Sequence, residues 1–230
     1  MTPPTALPAA LLFDLDGTLI DTDALHFAVF RDLFAERGRS IDQAFYLENV
    51  HGQMNEAIFT KHTPTEDAAA LSEDKEARFR VMLGSSAPAM PGTADLLAQA
   101  RALGWGLAVV TNAPRTNAEA MLRAIGLIDA FDTLVIADEC THGKPHPAPY
   151  LEAMARLGVS PERSVAFEDS PSGLRAAKAS GAICVGIRSS LDDAALKAAG
   201  AHATLSDFTD PALHAVLAPL KGPRDDPHHR

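Results

Sequence analysis

Leu11-Leu12-Phe13-Asp14-Leu15-Asp16-Gly17-Thr18 runs from an unbroken apolar segment straight into two acids and a turn. An uninterrupted apolar run, rather than alternation, is what a strand buried on both faces of a parallel sheet looks like. Four further runs share this character: Leu107–Val110, Leu134–Ile136, Ser164–Phe167 and Ile183–Ile187. Amphipathic patterns separate them. Leu96, Leu97, Ala100 and Leu103 fall on one helical face and Gly104 stops it; Tyr150, Leu151, Met154 and Leu157 form another stripe, closed by Gly158. Thr116 and Glu119 have capping-box spacing ahead of Met121, Leu122 and Ile125, and Ser170 with Pro171 reads as an N-cap followed by a proline at the first helical position. Strand and helix in alternation predict an α/β fold, an open parallel sheet with right-handed crossovers.

One stretch interrupts the alternation. From about Thr22 to about Ala89 only helical patterns occur: Phe27, Phe30 and Phe34 share a face, a second helix follows Gly52, and a charged third helix runs from about Glu66 to Leu83. Residues 21–89 are therefore expected to form a small helical domain, inserted between residues 1–20 and 90–230 of the sheet domain. An insertion after the first strand lies outside the carboxyl ends of the strands, where open sheets bind ligands.

Composition narrows the class. The chain has 230 residues, 47% of them hydrophobic and 22% charged, and a net charge of −10. That is globular composition, and the acidic balance argues against nucleic acid or an anionic membrane surface as partner. No apolar run approaches the roughly 20 residues of a membrane helix. The first residues lack the basic start of a signal peptide, so cytoplasm is the expected compartment. Cys140 and Cys184 read as reduced thiols in or near the core, and His228-His229 as part of a solvated tail.

Chemistry concentrates at the strand ends. Asp14 and Asp16 follow the first strand, on an apolar segment where charge is costly without a use. They can cap a turn, or act as nucleophile and acid/base with a cation to relieve their repulsion. Thr111-Asn112 ends the second strand, Lys144 lies in Gly143-Lys144-Pro145-His146-Pro147, and Glu168-Asp169 ends the fourth. In a parallel sheet all of these reach one rim. Four carboxylates there require a cation, an all-oxygen set suits Mg²⁺, and a lysine with a hydroxyl suits phosphate oxygens. The set reads as Mg²⁺-assisted phosphoryl transfer to a carboxylate.

These motifs, in this order, resemble the haloacid dehalogenase superfamily: Phe13-Asp14-Leu15-Asp16-Gly17-Thr18, Val109-Val110-Thr111-Asn112, Gly143-Lys144-Pro145 and Phe167-Glu168-Asp169-Ser170. The resemblance covers nearly the whole chain. It implies a Rossmann-like core with a C1-type helical cap. Asp21-Thr22 with His26, and the Glu168-Asp169 pair, resemble the β-phosphoglucomutase and phosphoglycolate phosphatase branch. The resemblance implies that Asp14 is the nucleophile and Asp16 the acid/base. It implies Mg²⁺ held by Asp14, the Asp16 carbonyl, Asp169 and Glu168, the last directly or through water. Thr111, the Asn112 amide and Lys144 would hold the phosphoryl group. Thr22, His26, His51, Gly52 and Asn55 would serve the cap and its hinge, with Lys75 and Arg78 as further specificity residues.

The expected function is Mg²⁺-dependent hydrolysis of a small phosphorylated metabolite, a sugar phosphate or a phosphoglycolate type, by a monomer or weak homodimer. Dehalogenation is disfavoured, since dehalogenases resemble Asp-x-Tyr where Asp16 stands here. A sugar phosphomutase is the alternative. The β-phosphoglucomutase resemblance carries a cap arginine for the second phosphate, and Gly52-Gln53-Met54-Asn55-Glu56 has none. A non-enzymatic phospho-acceptor regulator is more remote, because such a domain lacks the helical insert. Trp105, Met82, Met90, Met121 and Met154 read as packing, and His142 and His146 as surface or supporting residues.

Overall fold

The computed structural model describes residues 7–50 and 53–221. Its described residues divide into two units, one up to Asp21 and from Pro88 onward, the other Thr22–Ala87. The first unit is a six-stranded parallel sheet in the order β3-β2-β1-β4-β5-β6. Its strands are β1 (Ala10–Phe13), β2 (Gly106–Thr111), β3 (Thr133–Ile136), β4 (Ser164–Glu168), β5 (Ile183–Ile187) and β6 (Ala203–Leu205). The chain starts in the middle of the sheet and winds outward in both directions. Every residue of β1 is fully buried, which explains the absence of alternation in its sequence. Ala10, Leu12, Ala108, Val110, Ala166 and Cys184 share one core cluster. Phe13 stacks on Phe167 at 5.0 Å and meets Phe131 and Phe208 edge-on.

The second unit contains α1 (Asp23–Ala35), α2 (Gln43–Asn49), α3 (Asn55–His62) and α4 (Ala68–Leu83). Phe30, Phe34, Phe59 and Phe79 are buried within it. The remaining helices, α5 (Thr93–Ala102), α6 (Arg115–Ala124), α7 (Ala148–Leu157), α8 (Pro171–Ala179), α9 (Asp193–Ala199) and α10 (Leu213–Leu217), belong to the sheet unit. No described helix is long and apolar enough to cross a membrane.

Three local expectations change. Pro114, not Thr116, takes the N-cap position of α6, so Thr116 lies inside the first turn and no side chain caps the helix. The fixed φ of proline suits a helix entry and competes with the capping box. Helix α2 is seven residues long, too short to show a period, yet Asp42 caps it by accepting from the Phe45 amide at 2.8 Å. Strand β6 has three residues and lies at a sheet edge, where the apolar signal is weakest.

Candidate active site

Strand register builds the site. Phe13 pairs with Val109 in β2 and with Phe167 in β4, so Asp14, Val110 and Glu168 stand level, one residue further along three adjacent strands. The Asp14 amide continues the ladder by donating to the Phe167 carbonyl at 3.0 Å. The Lys144 ammonium meets all three. It donates to Asp14 Oδ1 at 2.6 Å, to the Val110 carbonyl at 2.7 Å and to Glu168 Oε1 at 2.6 Å. An ammonium has three N–H groups, and each has an acceptor here.

The loop carrying Lys144 is pinned by Asn112. Asn112 Oδ1 accepts from the Lys144 amide at 3.1 Å, and its Nδ2 donates to the Lys144 carbonyl at 3.3 Å. The Asn112 side chain therefore has a structural duty beside the phosphate contact expected of its amide. Thr111 is buried, and its hydroxyl accepts from the Ala113 amide at 3.0 Å, which tightens the turn after β2.

Asp14, Glu168 and Asp169 each offer one carboxylate oxygen, all within 4.8 Å of one another. The Asp16 carboxylate is not in this group. Three buried carboxylates with only oxygen donors fit a hard divalent cation such as Mg²⁺. The approach of Asp169 explains Gly17: a Cβ there would lie 2.1 Å from Asp169 Oδ2, and the backbone φ is +74°. Gly173 is likewise required, because a Cβ would stand 1.9 Å from the Glu168 carboxylate. Ser170 Oγ caps α8 by accepting from the Gly173 amide at 3.1 Å.

Electrostatics follow from depth. Burial pushes the Asp14 carboxyl up to about 7 against the pull of Lys144, and Glu168 adds to the rise. Burial opposes the Lys144 charge, but Asp14 and Glu168 outweigh it and hold the ammonium above its ordinary value. Cys184 is pushed up to about 12 by burial and by Glu168, an inert thiol.

The other expected site residues belong to the helical unit. Thr22 is buried at the N-terminal end of α1 without capping it. His26 stacks on Phe79 at 4.3 Å, nearly parallel. Asn55 Nδ2 donates to Glu76 Oε1 at 2.5 Å, and Lys75 donates to the same oxygen at 2.9 Å. Arg78 is held by Glu36 and Asp74. His51 and Gly52 lie outside the described residues. Tyr150, in sequence one position of an apolar helical stripe, also reaches the site: its hydroxyl donates to Glu168 Oε1 at 2.6 Å. Its place in an apolar helical stripe hid this, since burial and function coincide there.

Comparison with known proteins gives this arrangement a lineage. Residues 8–181 match the family model of haloacid dehalogenase-like hydrolases. The validoxylamine A 7'-phosphate phosphatase of Streptomyces hygroscopicus subsp. limoneus is 35% identical over 205 residues, covering 86% of this chain and 93% of that protein. The fructose-1-phosphate phosphatase of Escherichia coli is 34% identical over 187 residues, 78% of this chain and 96% of that one. The crystal structure of CbbY from Rhodobacter sphaeroides in complex with phosphate superposes with a TM-score of 0.74 at 33% identity, covering 87% of this chain and 94% of CbbY. The chain belongs to the haloacid dehalogenase-like hydrolases and is an enzyme of the phosphatase kind.

Proposed function

We propose that the protein is a Mg²⁺-dependent phosphomonoesterase. It acts on a small sugar phosphate or similar phosphorylated metabolite through an aspartyl phosphate on Asp14. The observation that carries this reading is the Lys144 ammonium bridging Asp14 and Glu168 beside Asp169. A carboxylate held in place by a cation is a prepared nucleophile, and the surrounding oxygens suit phosphoryl chemistry. The phosphatase relatives support the class of substrate.

Asp14 attacks phosphorus, forming its bond to the phosphoryl group as the P–O bond to the leaving alcohol breaks. Asp16 gives that oxygen a proton. In the second half Asp16 takes a proton from water, the water oxygen bonds phosphorus, and the Asp14 carboxylate leaves with inorganic phosphate as product. Lys144 keeps Asp14 oriented throughout and balances charge, and the Thr111 hydroxyl with the Asn112 amide holds the phosphoryl oxygens. Asp14, Asp169 and Glu168 with the Asp16 carbonyl would hold Mg²⁺, which would supply charge neutralisation at phosphorus-bound oxygens.

Hydrolysis is favoured over mutase chemistry by the pairing of Lys75 and Arg78 in the helical unit. Lys75 faces Glu76, and Arg78 faces Glu36 and Asp74. A second phosphate dianion needs a cation not already neutralised. The test is phosphate release from a panel of sugar phosphates, phosphoglycolate and nucleotides, with and without chelator. At least one small ester should turn over, chelation should abolish it, and Mg²⁺ should restore it. Full turnover after exhaustive chelation overturns the metal assignment, and silence on every ester overturns the hydrolase reading. Phosphorus NMR of β-glucose 1-phosphate with catalytic bisphosphate should show inorganic phosphate accumulating; stoichiometric glucose 6-phosphate would establish the mutase instead.

A further inference from the structure

We infer that Tyr150 is a positioning residue, whose hydroxyl sets the orientation of Glu168 and, through Lys144, of Asp14. The inference builds on the proposed function of this same site. Tyr150 lies in the first turn of α7 and has no exposed surface. Its hydroxyl and the Lys144 ammonium both donate to Glu168 Oε1, each at 2.6 Å. A carboxylate oxygen has two lone-pair directions in its plane, and both are now taken.

Glu168 is consequently fixed from two sides. Tyr150 and Lys144 hold Oε1, and the carboxylate occupies the space at Gly173 that a Cβ would otherwise fill. The remaining oxygen, Oε2, with Ser170 Oγ 3.3 Å from it, is the one left to face a cation. The Tyr150 ring also lies under the ammonium, with Lys144 Nζ 5.3 Å from its centroid, within cation–π range. Lys144 has no spare N–H, so a change in Glu168 alters how the ammonium sits on Asp14. Supporting groups that orient ligands in this way are costly to remove even though they touch no substrate.

Tyr150→Phe keeps the ring, the packing and the cation–π contact and removes one hydrogen bond. Its kcat should fall about tenfold with KM within about twofold, the pattern of a group that acts on chemistry rather than on binding. In a double-mutant cycle with Glu168→Gln, the double variant should be no slower than Glu168→Gln alone, since both changes break the same link. Calorimetry should show Mg²⁺ binding to Tyr150→Phe weakened by about threefold or more.

A probe that keeps the hydroxyl serves if Tyr150→Phe fails to fold. The chain has two tyrosines, Tyr46 and Tyr150. Labelling with 3-fluorotyrosine therefore gives two fluorine resonances, and Tyr46→Phe identifies the one from Tyr150. That resonance should move on Mg²⁺ titration. An unchanged kcat in Tyr150→Phe, additive losses in the cycle, or a Tyr150 resonance indifferent to Mg²⁺ would overturn the inference. If the wild-type protein hydrolyses no ester, the proposed function fails, while the calorimetric and fluorine measurements still judge Tyr150.

Discussion

Asp14 occupies surroundings that resist its charge, with burial driving its carboxyl up to about 7 despite the ammonium 2.6 Å away. A raised carboxyl favours the folded state when protonated. That preference is complete below the ordinary carboxylate value of 3.8 and is lost as pH rises through about 7, above which the full cost of a buried anion remains. Asp14→Asn should abolish turnover, because the nucleophile is gone, and should melt higher than the wild type at pH 8 in chelator. The gap should close below about pH 4. Thermal melts across that range check it, and a lower melting temperature for the variant at pH 8 would show that Lys144 outweighs burial. Lys144→Met should act in the opposite direction. It leaves Asp14 and Glu168 without their shared cation, and breaking a buried pair costs about 3–5 kcal/mol. For a chain of this size that is a fall on the order of 10 °C in Tm, measured without metal.

Helix α8 shows how an element is shaped around a side chain it does not carry. Gly173 sits in its first turn, where alanine would ordinarily stabilise a helix by about 1 kcal/mol. Here Gly173→Ala should lower the melting temperature and cut turnover by at least about a hundredfold. The added methyl meets a Glu168 carboxylate that Lys144 and Tyr150 prevent from swinging away. Retained activity would mean that Glu168 can reorient freely. Ser170→Ala is the milder test of the same element. It removes the cap on the Gly173 amide, at a cost of about 1 kcal/mol in chemical denaturation, with a smaller effect on kcat.

Across the whole molecule, acid should weaken both units through carboxylates held below their ordinary values. Hydrogen bonding to Arg78 holds Glu36 below its ordinary value in the helical unit, and the Ser206 and Ala212 amides do the same for Asp210 in the sheet unit. A depressed carboxyl contributes stability that is present above its unfolded value and is lost as pH falls through the folded one. Melting temperature should therefore decline as pH drops below about 4. Asp210→Asn should flatten that decline; an unchanged acid slope in the variant would discount the Asp210 contribution.

The sequence by itself determined the parallel α/β architecture, because strands covered on both faces must be apolar throughout, and β1, β2, β4 and β5 each declare it within a few residues. It also determined that Asp14, Lys144, Glu168 and Asp169 would reach one rim, since parallel strands all end on the same side. The same local reading could not find β6, α2 or the start of α6, where short length or a proline outweighs periodicity. Only the tertiary structure decided which groups touch. Strand register, a long-range property, sets Asp14, Val110 and Glu168 level, and so lets one ammonium satisfy all three. It also turned Asn112 into the clamp on the Lys144 loop and Tyr150 into a donor for Glu168. In sequence Asn112 is one member of a loop and Tyr150 one apolar position of a helix. A hydrogen bond between residues 18 positions apart leaves no periodic trace in the chain, because it depends on where two separate elements dock.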